Sequence, residues 1–141
     1  MFLLGIDPDR GWAVADHSKD RRLIIEAGSV NGVSQMAKKI RSLAARYKIE
    51  CVRIERSAGR GVYTRPGTTE KAMKKIAVNV GENRAKAEAI FWFCEGLGLN
   101  PQFVNPVRNG TKLSSRQIES LTGWTGRTNE HVRDAIVIAW V

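Results

Sequence analysis

Short apolar runs separated by polar breaks occupy the start of the chain. The runs cover residues 2–6, 11–15 and 23–25, and their length and spacing are typical of strands joined by turns. Three such strands in direct succession predict a three-stranded meander, because strands joined by short turns usually pair with each other.

The pattern then changes from the period of a strand to that of a helix. From residue 33 to Tyr47, apolar side chains recur at helical spacing, and basic residues take most of the opposite face. A strand over residues 51–55 follows at once. A helix that returns the chain to a sheet usually produces parallel pairing, so we predict that the first and fourth strands are parallel neighbours.

A stretch without periodicity precedes a second helix. Residues 56–69 are rich in glycine, arginine and threonine and predict a long loop, whereas residues 82–97 predict a helix with two apolar stripes. One stripe can pack on the sheet and the other on a second subunit, although burial within one domain would produce the same pattern. The first stripe comprises Ala87, Ile90, Phe91, Cys94 and Leu97, and the second comprises Ala85, Ala89 and Trp92.

The rest of the pattern completes an α/β fold. It predicts a strand over 102–105, a short helix over 114–121 and a final helix from residue 129 onward. Five strands flanked by helices predict one mixed sheet. Because 141 residues is the length of one domain, we expect residues 1–141 to form a single unit with one site.

Charge and composition narrow the class of partner. Lys and Arg number 23 against 14 Asp and Glu, a formal net charge of +9, which favours nucleic acid but also fits a merely basic protein. No stretch approaches the roughly 20 apolar residues of a membrane span, so we expect a cytoplasmic protein. Cys51 and Cys94 lie in apolar segments and predict reduced core residues.

Four side chains are candidates for chemistry at one edge of the predicted sheet. Asp7 and Glu55 each end an apolar strand, and ligands of α/β proteins bind beyond such ends. His131 and Asp134 are three residues apart on the final helix and therefore share a face. Taken singly, each has a simpler explanation, such as capping a turn or pairing with a neighbouring arginine.

Together these side chains suit a hard divalent cation. Carboxylates are preferred by Mg²⁺ and Mn²⁺, and two such ions about 3.5–4 Å apart can activate water and stabilise the leaving oxygen of a phosphodiester. In a basic domain this predicts a nuclease. Because a histidine must be neutral to bind metal, we expect activity to fall at acidic pH.

Three motifs occur in order across nearly the whole chain, namely Gly5-Ile6-Asp7-Pro8, Ile54-Glu55 and His131-Val-Arg-Asp134-Ala135. In these motifs and in their order the chain resembles the RuvC family of Holliday-junction resolvases. The resemblance implies a ribonuclease H-like fold, a homodimer, for which the second stripe of the helix at 82–97 offers a surface, and paired symmetric nicks across a four-way junction. It also implies that Asp7 bridges two Mg²⁺ or Mn²⁺ ions, that Glu55 and Asp134 bind them, and that His131 binds metal or orients the attacking water.

Some residues depart from the family's pattern. Asp9 stands where members commonly carry glycine, and we expect it to face solvent, with an additional acid beside the metal as the alternative. No aromatic residue directly follows Glu55, so we hypothesise that the following loop probes the junction by phosphate contact and base stacking, with incidental surface arginines as the alternative. The DNA-binding candidates are Arg56, Arg60, Tyr63 and Arg65 in that loop, with Lys112 and Arg116 further along the chain.

Three other functions fit parts of this pattern. The first is a broader nuclease that cuts flaps, forks, other branched DNA or RNA in a hybrid. Compact versions of the family occur in phages, so the resemblance implies a bacterial cell or a phage-infected host. The second is a non-catalytic DNA-binding module, against which the retention of three costly carboxylates argues. The third is a ribosome-associated RNA nuclease of the related YqgF type, which the His-x-x-Asp-Ala ending and the arginine-rich loop favour less than a resolvase.

Overall fold

The structure, a computed structural model, describes residues 1–18, 20–56, 70–105 and 112–141, with residues 70–80 described by their backbone alone. An initial run of three strands is followed by alternating helices and strands as far as the fifth strand, and two helices come after it. The elements are β1 (Phe2–Ile6), β2 (Gly11–His17), β3 (Arg22–Ser29), α1 (Gly32–Arg46), β4 (Ile49–Glu55), α2 (Glu70–Gly96), β5 (Pro101–Val104), α3 (Ser115–Thr122) and α4 (Glu130–Trp140).

One mixed sheet of five strands runs in the order β3-β2-β1-β4-β5. The pairs β1–β2 and β2–β3 are antiparallel, which confirms the predicted meander. The pairs β1–β4 and β4–β5 are parallel, which confirms the predicted pairing of the first and fourth strands. β3 is longer than the predicted 23–25, because its ladder with β2 extends through polar residues that an edge strand tolerates.

Helices cover both faces of the sheet. On one face, Leu4, Ile6 and Val14 pack with residues of α1 and α2, whereas on the other face Leu3 and Ala13 pack with residues of α4. Successive strand residues point to opposite faces, so both faces of β1 and β2 are apolar and the two strands read as continuous apolar runs. Cys51 and Cys94 are buried free thiols, as predicted.

The second helix begins earlier than the sequence indicated. α2 starts at Glu70 rather than at residue 82 and continues through Gly81. A glycine inside a helix costs only about 1 kcal/mol relative to alanine, so neighbouring turns can carry the helix past it. No described helix is long and apolar enough to cross a membrane.

The two apolar stripes of α2 have different environments. Ala87, Ile90 and Cys94 of the first stripe are buried in the core beside the sheet. The second stripe, made of Ala85, Ala89 and Trp92, faces outward, and Trp92 is 68% exposed. Within the described part of the chain, the second stripe is therefore an uncovered apolar surface.

α4 lies directly on the backbone of β1 and β2. A Cβ atom added at Gly5 would come within 2.6 Å of the Ala135 carbonyl oxygen, and one added at Gly11 would overlap the carbonyl group of His131. The neighbouring side chains on this face are also small, including the buried Ala13. The absence of side chains at the two glycines thus permits the close approach of the helix to the sheet.

Polar contacts fix both ends of α4. At its start, the side chain of Asn129 accepts a hydrogen bond from the Val132 amide at 2.9 Å, so Asn129 is the N-cap. At its end, His17 Nε2 lies 2.8 Å from the Ala139 carbonyl oxygen, and the Arg22 guanidinium donates to the Trp140 carbonyl at 3.1 Å. The cationic Arg22 guanidinium is favourable there because it faces the negative end of the helix dipole, whereas burial lowers the pKa of His17 and favours its neutral form.

We expect Gly5→Ala and Gly11→Ala each to lower the free energy of unfolding by about 1–3 kcal/mol, the cost of forcing extra atoms into a packed contact. Gly81→Ala is the matched control, since a Cβ there meets no atom of the described residues within 4 Å. That change should stabilise the protein by roughly 0.5–1 kcal/mol through helix propensity. Urea unfolding measures all three. A Gly11→Ala variant as stable as Gly81→Ala would contradict the close approach of α4.

Candidate active site

A cavity of about 190 Å³ opens where the carboxyl ends of β1 and β4 meet the start of α4. All four residues that the sequence singled out for chemistry line it. The described residues that line it are Asp7, Pro8, Asp9, Glu55, Asn83, Lys112, Glu130, His131 and Asp134.

The alternation of side chains along the sheet explains why two of the acids face α4. On β1, Leu3 packs on the α4 side and Leu4 on the α1 side, so Asp7, just past the strand, falls on the α4 side. Ile6 pairs with Ile54 across β1 and β4, which places Asp7 beside Glu55 at the same edge. The parallel register therefore brings both carboxylates to one end of α4.

Asp7 is the most deeply buried acid of the cavity. It is 7% exposed, and its Oδ1 accepts a hydrogen bond from the Asp9 amide at 3.2 Å. Burial raises the pKa of the Asp7 carboxyl because it penalises the charged form; the hydrogen bonds from His131 and Asp9 oppose this rise without cancelling it. The nearby Asp134 charge adds to the rise.

His131, in the first turn of α4, contacts Asp7 directly. Its Nδ1 lies 3.0 Å from Asp7 Oδ2, within hydrogen-bond distance. In the tautomer that carries hydrogen on Nδ1, this nitrogen donates to the carboxylate and Nε2 keeps its lone pair. The contact thus fixes the orientation of the ring relative to Asp7.

Glu55 is half-buried at the end of β4. Burial raises the pKa of its carboxyl, and the charges of Asp7 and Asp134 raise it further, whereas Lys112 lowers it. Three carboxylates therefore repel one another across the cavity. Positive charge placed among the three carboxylates, such as that of a bound cation, would relieve this repulsion.

Lys112 supplies part of that positive charge. Its Nζ lies 2.6 Å from Asp134 Oδ2 and 3.4 Å from Glu130 Oε1. Burial acts to lower the pKa of the Lys112 ammonium, but its hydrogen bonds with Asp134 and Glu130, together with their charges, outweigh burial and leave the pKa raised. Lys112 is thus a charged ammonium at the rim of the cavity.

The chemistry of the donors fits a hard divalent cation. Asp7, Glu55 and Asp134 offer oxygen ligands of the kind that Mg²⁺ and Mn²⁺ prefer, and the raised pKa values of two of them indicate charge that is not fully compensated. Among the described residues, however, no three His, Cys, Asp or Glu side chains converge closely enough to hold one ion. A metal would therefore have to draw the carboxylates together.

The predicted DNA-binding residues have separate locations. Arg60, Tyr63 and Arg65 lie outside the described residues. Arg56 lies away from the cavity lining, because its guanidinium stacks 4.0 Å from the centre of the Phe103 ring. Arg116 is exposed on α3, and of the described candidates Lys112 alone lines the cavity.

Three lining residues were not among the predicted site residues. Asp9, which was expected to face solvent with a place beside the metal as the alternative, lines the cavity, and its Oδ1 accepts a hydrogen bond from Lys86 Nζ at 3.1 Å. Asn83 and Glu130 line it as well. Glu130 directly precedes His131, so its position was recoverable from the motif, but nothing in the sequence points to Asn83.

No protein-family model matches the chain, and no curated protein sequence matches it. Solved structures do match its fold. RuvC of T. thermophilus in complex with a Holliday-junction substrate superposes with a TM-score of 0.65 at 15% identity, over 99% of this chain and 90% of that one.

Two further structures match over most of both chains. The Fowlpox virus resolvase in complex with Holliday-junction DNA gives a TM-score of 0.57 at 12% identity, over 99% of this chain and 94% of that one. The yeast mitochondrial Holliday-junction resolvase Ydc2 gives 0.54 at 15% identity, over 97% and 75%. The chain therefore has the ribonuclease H-like fold of RuvC and other Holliday-junction resolvases, as its motifs predicted.

Proposed function

We propose that the protein is a divalent-metal-dependent DNA endonuclease that resolves four-way junctions by paired symmetric nicks. The observation that carries this proposal is the meeting of Asp7, Glu55, His131 and Asp134 in one cavity. The fold supports it, since two of the matching structures hold Holliday-junction DNA.

The three carboxylates are the proposed holders of Mg²⁺ or Mn²⁺, two ions in each site. Asp7 is the most deeply buried of the three and would be held in place for this role by its contact with His131, whereas Glu55 and Asp134 would complete the set of ligands from β4 and α4. When bound, such ions would polarise the phosphodiester and help to ionise the attacking water.

His131 is proposed to orient that water. With its Nδ1 directed at Asp7, the ring can accept a proton from the water at Nε2. The Asp7 carboxylate would then stabilise the imidazolium that forms, as a buried acid does for a histidine base in other hydrolases. The new bond joins the water oxygen to phosphorus, and the bond to the sugar 3′ oxygen breaks, with solvent protonating that oxygen.

The basic surface is proposed to hold the phosphates of the junction arms. Net charge of +9 favours association with DNA and makes affinity fall as salt rises. Arg56, Lys112 and Arg116 are the described candidates for phosphate contact, and Lys112 is the one of them that lines the cavity. Arg60, Tyr63 and Arg65 remain candidates for probing the junction from the loop.

Two symmetric nicks need two active sites, and the outward stripe of α2 offers a surface for a homodimer. Ala85 and Ala89 would allow a close approach of two helices, and Trp92 would bury a large apolar area.

One observation favours a non-catalytic DNA-binding module instead. Lys112 already neutralises Asp134, and the described side chains do not converge on a metal position. A broader nuclease that acts on forks and flaps would share the proposed chemistry and differ in substrate alone. Both alternatives are outcomes of the same cleavage experiment.

The experiment compares cleavage of a synthetic four-way junction, a Y-fork and a linear duplex of matched sequence in Mg²⁺ or Mn²⁺. Asp7→Asn removes a proposed metal ligand, and Asp16→Asn is the matched control because Asp16 pairs with the N-terminal amine away from the cavity. We expect paired nicks in the junction, and at least about a 100-fold loss in Asp7→Asn, which exceeds most losses of outer-shell partners.

Each outcome has one meaning. A resolvase is supported if the wild type and Asp16→Asn cut the four-way junction and leave the Y-fork and the linear duplex intact. Equal cutting of the fork makes the protein a broader branched-DNA nuclease. Tight junction binding without any cutting makes it a binding module.

The raised pKa values of Asp7 and Glu55 predict how stability depends on pH. The folded state holds these protons more tightly than the unfolded chain, so their stabilising effect is present below the unfolded pKa and is lost as pH rises through the folded pKa. In chelator at neutral pH, Asp7→Asn and Glu55→Gln should each stabilise the protein by roughly 0.5–2 kcal/mol.

Urea unfolding between pH 4 and pH 8 measures the effect. Glu50→Gln is the control, because Glu50 is an exposed acid on the same strand as Glu55, and it should change stability by less than about 0.5 kcal/mol. Equal stability of Glu50→Gln and Glu55→Gln at neutral pH would refute the repulsion among the cavity acids.

The dimer has its own test. Trp92→Glu should convert a dimer of about twice 15.7 kDa into a monomer, because it would bury an unpaired charge in the interface. Glu95→Gln, another exposed position on α2, should leave the dimer intact. Sedimentation at micromolar concentration distinguishes them, and a monomeric wild type would rule out this interface for the free protein.

A further inference from the structure

Lys112 occupies a position that the proposed metal chemistry needs. Its ammonium lies 2.6 Å from Asp134 Oδ2, a carboxylate oxygen proposed to hold metal, and it lines the same cavity as Asp7 and Glu55. The Asp134 side chain is 20% exposed, whereas that of Lys112 is 54% exposed. The lysine can therefore leave into solvent, while the carboxylate stays at the cavity.

Anchoring of the chain before α3 does not require this ion pair. The neighbouring residue Leu113 is already tied to α4, because Arg133 Nε donates to the Leu113 carbonyl oxygen at 2.8 Å. Arg133 also reaches Ser115 and Thr128 through Nη1. A purely structural role for Lys112 would duplicate contacts that Arg133 makes.

A cation facing a metal-binding carboxylate competes with the metal. Asp134 Oδ2 cannot bind the ammonium and a divalent ion at full strength at the same time. The ion must therefore displace the ammonium before it can bind to Asp134. This agrees with the finding that no three described metal-binding side chains converge on one point.

We propose that Lys112 sets the metal affinity of the site and couples it to substrate. Without DNA, Lys112 holds Asp134 and keeps metal binding weak. A phosphate of the substrate gives the ammonium another partner, frees Asp134 and strengthens metal binding. Lys112 is thus a specificity-determining residue, because it makes the protein bind metal more tightly when substrate DNA is bound than when it is absent. This inference rests on the proposed function, because it takes Asp134 as a metal ligand.

Mn²⁺ affinity of the DNA-free protein, measured by calorimetry at fixed pH, tests the competition. Lys112→Met removes the charge and keeps much of the side-chain length, and we expect its Kd for Mn²⁺ to be roughly tenfold lower than that of the wild type, the scale of one charge-assisted hydrogen bond. Lys112→Arg keeps the charge and should stay near the wild type.

Lys86→Met is the matched control. It also removes one positive charge beside the cavity, but Lys86 pairs with Asp9 at 3.1 Å and not with a proposed ligand. Loss of a nearby charge alone should lower the Kd by no more than about threefold. A tenfold effect confined to Lys112→Met supports displacement of the ammonium from Asp134.

The coupling between metal binding and DNA binding is also tested by measuring the effect of metal on the affinity for junction DNA. Linkage requires that metal strengthen DNA binding by the same factor by which DNA strengthens metal binding. Junction affinity should therefore rise on addition of Ca²⁺, a cation with the same preference for oxygen ligands, and this rise should be smaller in Lys112→Met. The amount of cleaved DNA is measured in each sample, so that the affinity refers to the intact junction.

The outcomes separate this inference from the proposed function. Equal Mn²⁺ affinity in the wild type and Lys112→Met, with binding lost in Asp7→Asn, overturns the role of Lys112 and leaves the metal site. An equal decrease of the Kd for Mn²⁺ in Lys112→Met and Lys86→Met also overturns it, because the loss of any nearby positive charge would then explain the effect. No Mn²⁺ binding in any variant overturns both.

Discussion

The approach of α4 to the bare backbone of β1 and β2 is the contact on which the site depends. Gly5 and Gly11 leave no side chain beneath the helix, and polar contacts hold both of its ends. Any bulk at this contact would lift the first turn, which carries His131, away from Asp7. Close packing of small residues thus does the work of positioning, and the chemistry of the cavity follows from it.

The same contact places charges where they are costly. Three carboxylates share a small cavity, burial and mutual repulsion raise the pKa values of Asp7 and Glu55, and Lys112 compensates only part of the charge. A fold optimised for stability alone would replace these acids. Their cost is understandable if a divalent cation completes the site, since sites of this kind trade stability for function.

Much of the fold, and four residues of the candidate site, could be predicted from the sequence, because both depend on local periodicity and strand order. The four residues are Asp7, Glu55, His131 and Asp134. The parity of the strands alone places Asp7 and Glu55 on the face that α4 covers. The start of α2 could not be predicted, since tertiary packing carries the helix past Gly81. The ion pair of Lys112 with Asp134 and the place of Asn83 depend on how separate elements pack, which no local pattern records. The dimer stays a prediction, supported by the exposed Trp92.

The proposed metal site joins β1, β4 and α4. Anomalous diffraction from crystals of the wild type grown with Mn²⁺ and junction DNA would locate the metal, with Asp7→Asn as the comparison. We expect manganese density bounded by Asp7, Glu55 and Asp134, with the Lys112 ammonium displaced from Asp134, and no such density in Asp7→Asn. Absence of manganese from this cavity, with Lys112 still paired to Asp134, would rule the proposed site out.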